Sequence, residues 1–186
     1  MAQKENQRIA LTKKLLQEGL LRLLEVKSLD KISVTELCRE SGINRATFYN
    51  HYNSPQELLA DIESKMTQTL RQIIGNPRNA QEVIERTEAV CTHFYDNART
   101  FLILHRCHSD QDITDVLYEL NQNFQLYRLS SRYTHTMNQD SLRLVTVFFY
   151  AGCYSILLDW LTNSLPLTPK EIATLMVRLA AENFLE

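Results

Sequence analysis

The sequence predicts an all-α protein, and three of its features do so together. Gly and Pro are scarce, four of each in 186 residues, which suits helices joined by short connections and argues against a turn-rich sheet protein. Apolar residues recur at three- and four-residue spacing in one segment after another. Three segments open on the same chemical signature, a Ser or Thr followed three residues later by Glu: Ser33 with Glu36, Ser54 with Glu57, and Thr168 with Glu171. In each, the hydroxyl is expected to accept an early backbone N–H and the Glu to reach back to the cap's own N–H. Pro55 and Pro169 sit at the first helical position, where a missing N–H costs nothing. With 44% apolar residues the chain has enough to bury a core.

The elements follow in order. Ile9, Leu15, Leu16, Leu20, Leu23 and Leu24 place a first helix over 9–27. A second covers 34–40 and stops at Gly42, which supplies the positive φ wanted just past a helix end. Asn44 caps a short third helix ending near His51. The fourth, 55–74, carries Leu58, Leu59, Ile62, Met66, Leu70 and Ile73 on one face and is broken at Gly75 and Pro77. Val83, Ile84, Val90, Cys91 and Phe94 mark a helix over 79–98, and a short apolar piece follows over 100–106. Val116, Leu117, Leu120 and Phe124 mark 113–129, and 130–139 is expected to be the most mobile loop. Residues 140–162 are apolar nearly all round, which implies burial on more than one side. A last helix starts at Pro169 and carries Ile172, Leu175, Met176, Leu179 and Phe184. That makes about nine helices, with no internal repeat.

Charge is asymmetric. Residues 1–52 hold nine Lys/Arg and six Asp/Glu, a balance of +3, and 53–186 hold eleven and sixteen, a balance of −5. A basic front hints at an anionic partner. Cys38, Cys91, Cys107 and Cys153 are far apart and form no C-x-x-C, so free thiols in a reducing compartment are expected. The N-terminus is polar, and the longest apolar run, 144–158, is shorter than the roughly 20 residues that span a bilayer. The expectation is a cytoplasmic protein with no membrane partner.

The second helix, a turn at Ser41, Gly42 and Ile43, and the third helix make a helix-turn-helix. Ile32, Leu37, Ile43, Phe48 and Tyr52 are spaced to pack it. The residues left over are Asn44, Arg45, Thr47, Tyr49, Asn50 and His51, with Ala46 small enough for close approach. Arg can pair with guanine and Asn with adenine, both bidentately. Thr and Tyr hydroxyls and a His N–H donate to phosphate oxygens. Thr35 lies at the start of the second helix, where the dipole favours phosphate. Lys27, Lys31 and Arg39 would add long-range attraction. A merely solvated face normally carries Glu and Lys, whereas this one has no acidic residue between Ser41 and Gln56.

The same residues carry a resemblance. Ile32-Ser-Val-Thr-Glu-Leu-Cys38, then Ser41-Gly-Ile-Asn-Arg-Ala-Thr-Phe-Tyr49, His51-Tyr52 and Glu57-Leu58-Leu59 resemble the TetR family of transcriptional regulators over roughly 9–66. The rest resembles that family in its helix pattern, including Gly152 and Trp160 in the penultimate helix. The resemblance implies an N-terminal three-helix DNA-binding domain, 1–53, and a larger helical ligand-binding and dimerisation domain, 54–186. It implies a homodimer on double-stranded DNA with a palindromic operator, under the control of a small-molecule effector. Carried over by position, the DNA contacts would be Thr35, Asn44, Arg45, Thr47, Tyr49 and His51. One departure stands out: the family commonly places a Lys at the start of the fourth helix to grip a phosphate, and here that stretch is Asn53-Ser-Pro-Gln56. A lower affinity or a weaker salt dependence is expected in consequence.

In the second domain, Met66, His93, Phe94, Phe124, Tyr127, Tyr150 and Tyr154 are polar-tipped, aromatic or soft side chains among apolar neighbours, hence candidate pocket residues for a mid-sized, mostly apolar ligand. Each also has a plainer reading as core or interface. His105, Cys107 and His108 offer three metal donors within four residues but no matching fourth, so no metal is expected. The last two helices, the first of which contains Trp160, are the natural dimer face. No Gly-rich phosphate loop, G-x-S-x-G or metal-ligand spacing is present, so no enzyme and no cofactor are expected. Two regulatory readings remain, a repressor released by ligand, and a co-regulator or activator acting through a protein partner or a ligand-dependent gain of DNA binding.

Overall fold

The computed structural model describes residues 2–75, 77–107, 113–118 and 138–182. They form α1 (Ala2–Val26), a 3₁₀ turn (Leu29–Lys31), α2 (Val34–Ser41), α3 (Arg45–Tyr49), α4 (Pro55–Ile74), α5 (Ala80–Asp96), α6 (Ala98–Arg106), α7 (113–118), α8 (Gln139–Thr162) and α9 (Pro169–Glu182), with no strand among the described residues. The all-α expectation holds. Leu120, Phe124, Tyr127, His108 and Phe184 lie outside the described residues.

Polar side chains start the helices where the sequence places them. Ser33 Oγ accepts the Glu36 N–H at 3.2 Å, Asn44 Oδ1 that of Thr47 at 2.8 Å, and Ser54 Oγ that of Glu57 at 3.2 Å. Asn79, Asn138 and Thr168 do the same for α5, α8 and α9. The second half of the capping box is corrected at two of the three sites. Only Glu171 reaches back to its own cap, accepting from Thr168 N–H and Oγ1–H at 2.7 Å each. Glu57 instead takes the N–H and side-chain amide of Asn53, one residue further back. Glu36 is drawn to the Lys27 ammonium at 2.6 Å, a charged partner that outcompetes a backbone amide.

The chain divides into two compact units, Met1–Lys65 with Ile103–Asp110, and Met66–Leu102 with Gln111–Glu186. In the first, α1 packs on α2 and α2 on α3. Leu16, Leu20, Leu37, Phe48, Leu58 and Leu104 are wholly buried. Gly19 permits the close approach, because a Cβ there would stand 2.9 Å from Ser41 Cβ. Arg106 Nη2–H donates to Leu24 O at 2.6 Å, closing the C-terminus of α1, whose own last turn has no basic residue.

In the second unit α5 packs mainly on α9 and also on α8. Phe94, Phe101, Leu70, Ile113 and Trp160 are buried there. Trp160 Nε1–H donates to Leu167 O at 3.0 Å, and its ring stacks on Tyr95 at 5.4 Å. Arg86 Nη1 donates to Ile73 O and Ile74 O at 3.0 and 2.9 Å, closing α4. Gly75 turns away there with φ 44. The expectation that 140–162 is buried on several sides is corrected. α8 is long and apolar enough to cross a membrane, yet only 28% of its apolar window is buried in the single chain. Leu144 and Phe148 are each 69% exposed, with Val147 on the same side, and Leu175 and Leu179 are exposed on α9 beside a groove of about 660 Å³. Among the described residues nothing lies over this surface.

Two outcomes follow. Gly75→Ala forces a side chain into a left-handed backbone and sets its Cβ 2.5 Å from Arg86 Nη1. Chemical denaturation should show a loss of about 1–3 kcal/mol. The hydrogen bonds from Thr168 hold the Glu171 carboxyl below the usual glutamate range. Its contribution is therefore present above the unfolded pKa and lost as pH falls through the folded one. Glu171→Gln should lower the urea midpoint at neutral pH, and the gap to the unsubstituted chain should close in acid.

Candidate nucleic-acid interface

The α2–α3 turn is built from local chemistry. Gly42 takes φ 67, and Ile43 N–H donates back to Cys38 O at 3.0 Å. Burial of Phe48 then fixes which way α3 faces. Arg45, Ala46, Tyr49 and Asn50 are exposed with Asn44, and Thr47 and His51 are half-buried. Thr35 is exposed in the first turn of α2, where Ser33 satisfies only the Glu36 N–H. α3 is shorter than expected, ending at Tyr49. His51 follows on a tight turn, its N–H donating to Phe48 O at 2.9 Å, and its ring lies 6.5 Å from that of Tyr52. Tyr49 is 49% exposed and braced edge-on by Phe48 at 5.5 Å.

Asn44 has a prior commitment. Its Oδ1 is held by the Thr47 N–H, so a bidentate contact to adenine would uncap α3, and only the side-chain N–H₂ is available for an outside acceptor. Arg45 has no ion-pair partner among the described residues, leaving its guanidinium for an outside group. The flanking cations are less available than their number suggests. Lys27 is neutralised by Glu36, while Lys31 and Arg39 stay exposed, Arg39 at 4.0 Å from the same carboxylate. At the start of α4 the missing Lys is not replaced. Asn53 is tied to Glu57, whose carboxyl those bonds hold below its ordinary range.

A brace that the sequence reading missed holds this surface. Tyr52 O–H donates to Asp61 Oδ2 at 2.6 Å, Lys65 and Gln17 donate to the same oxygen at 2.8 and 3.3 Å, and the Lys13 ammonium sits 5.3 Å over the Tyr52 ring. Burial works to raise the Asp61 carboxyl, but the Lys65 ammonium and the Tyr52 hydroxyl outweigh it and keep it ionised. Burial first, then Asp61, push the Tyr52 phenol up. The one sequence signal for this brace is an acid, Asp61, one residue before the core position Ile62 and four before a Lys.

In the second unit, Met66 and Phe94 are buried, and His93, Tyr150 and Tyr154 are half-buried. Phe124 and Tyr127 lie outside the described residues. Phe94 meets Phe101 at 4.6 Å, Phe101 meets Tyr154 at 6.2 Å, Tyr154 stacks on Tyr150 at 5.9 Å, and Tyr150 meets Tyr118 at 5.8 Å. Phe101 and Tyr118, absent from the expected set, join the others into one run of rings. Cys107 is half-buried, and among the described residues no three His, Cys, Asp or Glu side chains converge as metal ligands would.

Residues 81–182 match the family model described as "Transcriptional regulator C-terminal region". The fold is similar to that of a TetR transcriptional regulator from Streptococcus agalactiae, at 19% identity and TM-score 0.63, covering 96% of this chain and 98% of that one. It is also similar to the dihydroxyacetone kinase operon activator DhaS, at 14% identity and TM-score 0.59, covering 92% and 95%. The fatty acid degradation regulator FadR from Bacillus halodurans matches at 10% identity and TM-score 0.65, covering 94% and 97%. At these identities the likeness shows the fold alone. Comparison with curated proteins returned no match. With a family model covering more than half of its length, a TetR-like fold throughout and a helix-turn-helix at its front, the chain belongs to the TetR family of DNA-binding transcriptional regulators.

Proposed function

We propose that the protein is a cytoplasmic homodimeric repressor that reads a palindromic operator and is released from it by a small-molecule effector. The observation that carries the reading is the surface of α3, with an Arg45 that has no ion-pair partner among the described residues, an exposed Tyr49, and no acidic residue from Ser41 to Gln56. Arg45 and Tyr49 read or grip the major groove, with Thr47 and His51 at their sides. Thr35 and the free amides of α2 hold a phosphate. Asn44 acts first as the cap and second as a donor through its N–H₂. Residues 1–53 supply the reader, and 54–186 supply the effector site and the dimer contact. The exposed apolar faces of α8 and α9 suit a second copy, which would set two α3 helices about one DNA turn apart. Effector and operator each weaken the other's binding, as linkage requires.

A second reading has a specific observation behind it: one protein of the same fold is named an operon activator. Operator affinity measured with and without effector separates loss from gain.

Selection of bound sequences from a random DNA pool should return a palindrome, and a non-repeating site would count against the dimeric reader. Arg45→Ala and Tyr49→Ala should each weaken retardation of that operator by about tenfold or more while helicity and dimer mass stay unchanged. Asn44→Ser, which keeps a cap, should bind within a few-fold of the unsubstituted chain. Asn44→Ala should lose about 1 kcal/mol of stability and bind less well. Equal loss in both would move Asn44 from cap to base reader.

A further inference from the structure

His93 on α5 presents two unlike nitrogens. Asn97, one turn on, donates a side-chain N–H to the His93 carbonyl oxygen at 2.8 Å. A carbonyl oxygen only accepts, so the atom there is the amide nitrogen, and that nitrogen also lies 3.4 Å from His93 Nδ1. Nδ1 therefore faces a donor and keeps its lone pair, which puts the proton on Nε2. Nε2 is buried and has no hydrogen-bond partner among the described residues. Burial favours the neutral imidazole, against a smaller opposing pull from Asp96. A buried N–H without an acceptor is costly, and folded proteins rarely leave one so.

The surroundings say what kind of acceptor would suit it. The His93 ring lies 6.2 Å from Phe94, at the head of the run through Phe101, Tyr154 and Tyr150. Rings in edge-on and stacked contact accept a further ring in the same geometries. The charged side chain that acts on His93 is an acid, Asp96, which disfavours an anion beside it. A carbonyl oxygen meets the N–H and brings no donor of its own that would need satisfying.

We propose that the effector is a neutral aromatic molecule bearing a carbonyl-type oxygen, bound against this run of rings with its oxygen accepting from His93 Nε2–H. The inference rests on the reading of residues 54–186 as ligand-responsive. His93 is then the specificity-determining residue of the site, and the rings supply affinity without discrimination.

The probes are 2-acetylnaphthalene and 2-ethylnaphthalene, which differ in little but that oxygen. Titrated against the full-length chain, the ketone should bind roughly tenfold or more tightly than the hydrocarbon. His93→Leu should erase the preference while the hydrocarbon binds as before. His93→Gln, which returns an amide N–H near the place of Nε2, should restore part of it. Nitrogen NMR of the imidazole should show the Nε2-protonated tautomer before the ketone is added and a shifted Nε2 signal after. Equal affinity for the two probes, no binding of either, or an Nδ1-protonated ring overturns the proposal. Operator retardation on the same samples keeps the readings apart. A chain that binds operator without preferring the ketone loses this ligand class and remains a regulator. A chain that prefers the ketone without any change in operator affinity keeps the ligand chemistry, and the release mechanism fails.

Discussion

A helix of five residues does not hold itself. Isolated, α3 would be far below the length at which helices persist in water. It stands because Phe48 is wholly buried beneath it and Asn44 satisfies one of its early amides. The segment after it is pinned by Tyr52, whose hydroxyl is locked to Asp61 on α4. Every exposed side chain of α3 inherits its direction from those three anchors. The surface is therefore as firm as the core under it, and its polar groups were left outside because the apolar ones had to go in.

The same economy governs charge. The unit that carries α3 has several cations, but neighbouring acids claim some of them: Lys27 by Glu36, Arg22 by Glu40, Lys65 by Asp61. What is left is the Arg45 guanidinium, hydroxyls, an imidazole and helix N-termini, with Lys31 and Arg39 exposed at the flank. Such a surface depends on geometry more than on bulk attraction. That suits sequence reading, in which non-specific grip is a handicap.

Helix starts were legible because capping is local chemistry, settled within four residues, as at Thr168 and Glu171. The inward side of α3 was legible because Phe48 and, four residues on, Tyr52 are the large apolar or aromatic side chains spaced to point one way, and both are buried. The destination of Glu36 was not, because its competitor, Lys27, comes from another element nine residues away. Nor was the exposure of α8, because composition reports how apolar a helix is and not which of its faces the described residues cover. In the ring cluster the sequence named His93, Phe94, Tyr150 and Tyr154 but passed over Phe101 and Tyr118. Nothing in spacing tells a ring that joins a cluster from one that fills a core.

Two arginines borrowed from later helices finish α1 and α4. Arg106 reaches a carbonyl 82 positions earlier in the chain, and Arg86 reaches one 12 positions back. Adding a single residue within α1 would swing the Leu24 carbonyl by about 100° and carry it about 1.5 Å along the axis, out of the guanidinium's grasp. The span of that first rod is thus metered by a side chain the ribosome supplies much later. Insertions and deletions among related chains should collect in the connections and spare the barrel of either rod.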